Sequence, residues 1–304
     1  MNVRRLLNIG LLVLSLAGIG VSAAHVIPYL REEAQSASLY AELAALHSDG
    51  EDGNETIGGM ALPMQNNSDL TLGEIAAVDG GDDADAAPED SVTNENFDDE
   101  TTTDGDSSDS PARPVSHTGL AALHQKNPDC IAWITIEGTI IDYPVMYHPG
   151  KKDYYLHRDF NGNHASAGSL YIAELCDPFS SDNVIIYGHH MNSGKMFAAL
   201  NRYKKKSFFE DHRRIYFETL NGTETYEVIY AFTTPVYTGH DFQYYAFANA
   251  RTASEFDAYV SACRARALYD TGMTAEYGDR LLTLSTCEYS QKNGRMVVVA
   301  KKIT

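Results

Sequence analysis

Closely spaced cysteines are missing from this 304-residue chain. Its four, Cys130, Cys176, Cys263 and Cys287, stand far apart, which excludes zinc ribbons and Cys-x-x-Cys redox motifs. An even count would permit two disulfides in an exported protein. If Cys287 must stay a thiol at most one can form, and none is expected. A surplus of positive charge is missing too, with 23 Lys and Arg against 42 Asp and Glu. No basic face with interleaved aromatics is present, so nucleic acid is excluded as a partner. The run Lys204-Lys205-Lys206 reads as solvated surface. Metal-ligand spacing is also absent. His189 and His190 are adjacent, neighbours in extended chain point to opposite sides, and no third ligand follows at a usable distance. The stretch Asp159-Phe160-Asn161-Gly162-Asn163 places its glycine wrongly for a calcium loop. No metal and no cofactor is expected.

Long apolar runs are scarce, and the one present is at the start. Arg4 and Arg5 precede a charge-free stretch from Leu6 to Leu30, most apolar between Leu6 and Ala24. About 20 apolar residues span a bilayer, and the flanking arginines would keep the short N-terminal side in the cytoplasm. Val21-Ser22-Ala23-Ala24 offers a signal-peptide cleavage site as the rival reading. The run exceeds a usual signal core, which favours an uncleaved single-pass anchor over residues 1–30. Under either reading the folded part is extracytoplasmic.

Acidity is concentrated in one place. Residues 48–116 hold 19 Asp and Glu against Arg113 alone, so they carry −18 of the formal −19. From His117 onward 19 basic residues nearly balance 20 acidic ones. The charge therefore says nothing about what the folded part binds. Leu39, Leu43 and Leu46 at helical spacing predict a short juxtamembrane helix over Ser36–His47. The segment behind it, rich in Asp, Gly, Ser, Thr and Asn, cannot bury enough apolar surface to order itself. It is expected to be a self-repelling tether that gives a membrane-held domain reach. Residues 31–116 are thus helix plus linker, and residues 117–304 the catalytic domain.

In that domain a short helix (Gly119 to Asn127) leads to strands at Cys130–Ile136, Ile140–Met146, Ser169–Ile172 and Asn183–Tyr187. A helix is predicted from Ser193 to Tyr203. Asn221-Gly222 between two β-prone runs is a hairpin signal. Ser254 is placed to cap a long amphipathic helix running to about Tyr269. Leu281–Tyr289 and Met296–Ala300 flank a polar turn as two final strands. About eight short strands with one long helix fit a closed or nearly closed β-barrel better than a βαβ sheet.

Chemistry gathers at the ends of those strands. Cys287 ends the penultimate strand and Arg295 opens the last, so both can face one spot. The thiolate is the reactive form of cysteine, and a fixed positive charge nearby favours it. Neither residue carries a functional claim alone, because a lone strand Cys is commonly a small buried hydrophobe. The strand Asn183–Tyr187 runs into Gly188-His189-His190-Met191, and an imidazole held at a strand end suits a general acid or base.

These pieces together resemble the sortase family. The resemblance rests on Thr283-Leu284-Ser285-Thr286-Cys287, on Arg295 opening the next strand, and on Tyr187-Gly188-His189. The Gly188-His189-His190-Met191 element and the long helix before the Cys strand are similar to class B. Ile131-Ala132-Trp133-Ile134 and Ile141-Asp142-Tyr143-Pro144-Val145 resemble the family's first strands. The likeness covers roughly Gly119 to Ile303 and leaves out the acidic segment.

What the resemblance implies is a mainly β protein, an eight-stranded sortase-type barrel with a few helices, acting as a cysteine transpeptidase. It implies Cys287 as nucleophile, His189 as general acid/base and Arg295 as the oxyanion and substrate-positioning group. It implies Tyr187, Ser285 and Glu288 as contacts to the substrate, a secreted protein with a C-terminal sorting signal related to Asn-Pro-x-Thr-x. The implied acceptor is an amine of a peptidoglycan precursor, or a pilin lysine, at a Gram-positive-type cell envelope. Two other classes compete. A papain-type protease would put its Cys before its His and on a helix, the reverse of the order here. A catalytically silent, membrane-tethered binding barrel would carry a merely buried Cys287.

Overall fold

The computed structural model describes residues 26–48, 118–237, 239 and 242–304. The apolar run expected to anchor the chain, except for its last five residues, and the acidic segment 49–117 lie outside the described residues. Among the described residues no helix is long and apolar enough to cross a membrane.

Helix α1 (residues 26–48) is longer than the predicted Ser36–His47 and includes residues 26–30 of the expected anchor. A second helix, α2 (Thr118–Lys126), leads into β1 (Cys130–Thr135), β2 (Asp142–Met146), β3 (Leu170–Ile172) and β4 (Asn183–Tyr187). The predicted helix at Ser193–Tyr203 is instead a 3-10 stretch, Phe197–Lys204, followed by α3 (Lys206–Asp211). The hairpin signal lies between β5 (Arg214–Thr219) and β6 (Gly222–Pro235). Then come α4 (Ala253–Arg266), β7 (Leu281–Glu288) and β8 (Gly294–Lys302). The cap of α4 is Thr252 rather than Ser254, its side chain accepting from the Glu255 amide. The helix therefore starts one residue before Ser254, and it ends at Arg266, short of Tyr269.

The eight strands close into a barrel in the order β1-β2-β3-β4-β7-β8-β6-β5. Only β2–β3 and β4–β7 pair in parallel, so β4 and β7 end side by side at the same rim. Period-two alternation sorts the β7 side chains. Leu282 and Leu284 join the main core with Met296 and Val298. Leu281 joins a second core, where Val297, Val299 and Phe232 pack under Phe256, Tyr259 and Val260 of α4. Both faces of β7 are buried, with Thr283, Ser285 and Thr286 among its buried residues, and Cys287 is its one half-buried position.

Helix α1 is docked on the barrel. Tyr40 is 8% exposed, donates to the Gly168 carbonyl at 2.7 Å and meets the Tyr143 ring edge-on at 5.4 Å. His47 stacks on Trp133 at 4.2 Å and pairs with the buried Glu218 at 2.8 Å. A Cβ on Gly119 would stand 2.1 Å from the His47 carbonyl oxygen, so only glycine lets the two stretches pass. Residues 48 and 118 are therefore held close together. The two described stretches that flank the acidic segment are thus neighbours on the barrel.

Candidate active site

The site forms at the rim where β4, β7 and β8 meet. Cys287 and Arg295 are directly opposed in the β7–β8 register, on the same face of the pair. Cys287 is half-buried, whereas Cys130, Cys176 and Cys263 are buried, and all four are free thiols. Burial pushes the Cys130 and Cys263 thiols up to about 12 and Cys176 to about 11, away from reactivity at neutral pH. The Arg295 Nη1 donates to the Gly294 carbonyl at 3.0 Å, which steadies the guanidinium.

His189 follows β4 by two residues. Gly188 carries the chain through a space no larger residue fits: a Cβ there would lie 2.3 Å from Leu170 Cδ2 and 2.8 Å from Phe197 Cδ2. The Gly188 amide donates to Ser285 O at 3.2 Å, and the His189 carbonyl accepts from the Phe197 amide at 2.9 Å. The His189 Nε2 lies 2.8 Å from the Leu156 carbonyl. A carbonyl can only accept, so the ring proton rests on Nε2 and Nδ1 is left as the basic atom. Burial pushes the His189 pKa below the usual range. The Leu156 bond opposes that drop, and the charges of His157 and Arg295 add to it. The ring is therefore neutral at rest near pH 7.

Of the three expected substrate contacts, two share the Cys287 face. Ser285 precedes Cys287 by two positions in β7, and Tyr187 is its register partner on β4. Glu288 alternates to the opposite side. It is 4% exposed, its carboxylate paired with Lys204 at 2.5 Å and accepting from the Ser290 amide and hydroxyl at 2.9 and 2.7 Å. In this geometry Glu288 fastens the β7–β8 turn and does not face the site.

Several neighbours had no sequence signal. Tyr244 is buried and its hydroxyl meets Ser285 Oγ at 2.7 Å, within electrostatic reach of both Arg295 and Cys287. Asn201 donates to the Cys287 carbonyl at 3.3 Å and also touches His190. Tyr289 places its ring 5.2 Å from that of His190. Each comes from a separate loop or 3-10 turn, so no spacing along the chain announces them. Among the described residues no cluster of His, Cys, Asp and Glu could hold a metal.

Comparison with known proteins agrees with this architecture. A family model for the sortase domain matches residues 134–303. Sortase B of Listeria monocytogenes is 35% identical over 192 residues, covering 61% of this chain and 74% of that protein. Sortase B of Staphylococcus aureus is 32% identical over 190 residues, covering 60% and 73%. Among solved structures, the S. aureus sortase B–substrate complex superposes with a TM-score of 0.56 at 30% identity, over 61% of this chain and 85% of that one. The closed barrel and these matches define a cysteine transpeptidase. The chain belongs to the sortase family, and the relatives it matches are class B sortases.

Proposed function

We propose that this protein cleaves a C-terminal sorting signal related to Asn-Pro-x-Thr-x in secreted proteins and transfers them to an amine of the cell wall. Cys287 is the nucleophile. The observation that carries this reading is the cross-strand pair of a half-buried thiol with Arg295, beside the neutral imidazole of His189.

In the first half-reaction the thiol proton passes to the ring nitrogen of His189 that Leu156 leaves unprotonated. The thiolate adds to the Thr carbonyl carbon, and the developing oxyanion is stabilised by the Arg295 guanidinium. Donors of this kind contribute roughly 3–4 kcal/mol of transition-state stabilisation. The His189 imidazolium then protonates the leaving amine as the C–N bond breaks, and an acyl-thioester remains on Cys287. In the second half-reaction the acceptor amine attacks the thioester, gives its proton to His189 and releases the thiol. A neutral resting imidazole suits both halves, since His189 must first accept a proton and then return it.

Ser285 and Tyr187 line the groove for the signal, and Glu288 supports it by fixing the turn beside Cys287. The apolar run before α1 anchors the protein in the membrane, with the barrel on the extracytoplasmic side where the cell-wall amine is available. The test uses full-length protein in detergent with a panel of quenched Asn-Pro-x-Thr-x peptides, with and without amine acceptors. Cleavage lost in Cys287→Ala and strongly reduced in Arg295→Ala, with an amine-dependent transfer product, is the expected result. Cleavage that persists in Cys287→Ala would end the proposal. Peptidoglycan-type amines and a pilin-type lysine peptide, offered in competition, identify the acceptor.

A further inference from the structure

The face of the His189 ring is covered by a second imidazole. His157, an exposed residue, stacks on it with ring centroids 5.2 Å apart and planes 29° apart. His164 continues the stack beyond His157 at 6.4 Å and 17°. His157 and His164 sit on the two limbs of one loop, joined by a bridge between Arg158 and His164 and by the Ala165 amide donating to the His157 carbonyl at 3.1 Å. The dipeptide Leu156-His157 thus holds His189 twice. The Leu156 carbonyl accepts a hydrogen bond from the Nε2 N–H at 2.8 Å, and the His157 ring fixes the plane.

We infer that His157 is a positioning residue for His189, which orients that ring by stacking on its face. The inference rests on the assignment of His189 as the acid/base group.

Burial already disfavours the charged form of His189, and a positive charge on the face that His157 covers disfavours it further. The other charged groups nearby are engaged with partners of their own or reach His189 from another side. The Arg158 guanidinium lies over the Tyr154 ring at 4.5 Å. Asp159 accepts from the Asn161 and Asn163 amides. Glu32 of α1, near His164, accepts from the Ser166 amide. Arg295 acts on His189 from β8. Since transfer requires His189 to take the thiol proton and return it, a ring not held in plane slows turnover without weakening peptide binding.

The test uses the full chain with three variants. His157→Phe keeps a ring on the face without charge, His157→Lys supplies a permanent charge, and His157→Ala removes both. Two readouts are taken: the pH–rate profile of peptide transfer, and the titration of the His189 imidazole by NMR in a Cys287→Ala background, which needs no activity. His157→Phe should keep kcat close to the native value, because a ring still covers the face of His189. For charges 5.2 Å apart in a water-like medium, His157→Lys should move the His189 midpoint downward by roughly half a pH unit, and His157→Ala should lower kcat several-fold with KM little changed. A kcat unchanged in His157→Ala, or a His189 midpoint unmoved in His157→Lys, overturns the inference. A shifted midpoint in a protein that transfers no peptide would uphold the stacking and sink the transpeptidase reading.

Discussion

Replacing residues 50–116 with a Gly-Ser link of about eight residues should stabilise the barrel, because α1 and α2 already meet. The His47 carbonyl crosses Gly119 so closely that no side chain fits between them. His47 is also fixed by its stack on Trp133 and its bond to Glu218. The folded state therefore closes a loop of roughly 70 residues, and closure entropy scales as (3/2)RT ln n. Shortening that loop to about eight should recover roughly 2 kcal/mol. For a barrel domain of roughly 200 residues this corresponds to a Tm rise of about 4–8 °C. The assay is thermal unfolding of the full chain and the shortened chain in the same detergent, together with peptide transfer by each. Unchanged transfer with a raised Tm is expected. A lowered Tm would refute the reasoning, because it would mean that α1 is not docked where the ends of the loop can be joined. Surface display measured on cells adds a second check. If display fails while the isolated enzyme still transfers peptide, the acidic segment provides reach after all.

Three further outcomes follow from the site. Gly188→Ala should cost about 1–3 kcal/mol, since its methyl overlaps Leu170 and Phe197 in a packed core, and should reduce kcat by displacing His189; a melt and a rate measurement check both. Alkylation of the native protein should label Cys287 first and leave Cys130, Cys176 and Cys263 for the unfolded state, as peptide mapping would reveal; equal labelling of all four contradicts the burial. Lys204→Met should cost about 1 kcal/mol, discounted because Lys204 is partly exposed. Burial raises the Glu288 pKa, but the bonds from Lys204 and Ser290 outweigh it and hold the carboxyl below its usual range. The stability from Glu288 is thus present above the ordinary carboxylate range and lost as pH falls through its depressed value, below about pH 4. In Lys204→Met acid unfolding should begin at higher pH, and an unchanged acid midpoint would count against the pairing.

Local pattern determined much of this protein. Short β-prone runs such as Asn183–Tyr187 and Leu281–Glu288 are legible as buried strands, and the Asn221-Gly222 turn sets one hairpin. Cys287 and Arg295 were legible as a pair because only a short turn separates their strands, and their direct opposition follows from antiparallel register. His189 was legible from the glycine before it and the strand before that. What only the tertiary structure decided are relations between distant segments. The Leu156 carbonyl and the His157 ring reach His189 across 33 and 32 positions of chain, and Tyr244 reaches Ser285 across 41. The pairing of Glu288 with Lys204 and Ser290 was not legible either, because a strand's last residue does not announce its partners. The nearness of the two stretches flanking the acidic segment was out of reach for a similar reason. Composition reports that a stretch cannot build a core, but whether its two ends meet depends on α1 finding Trp133, Tyr143 and Glu218 on a barrel that forms more than 80 residues later.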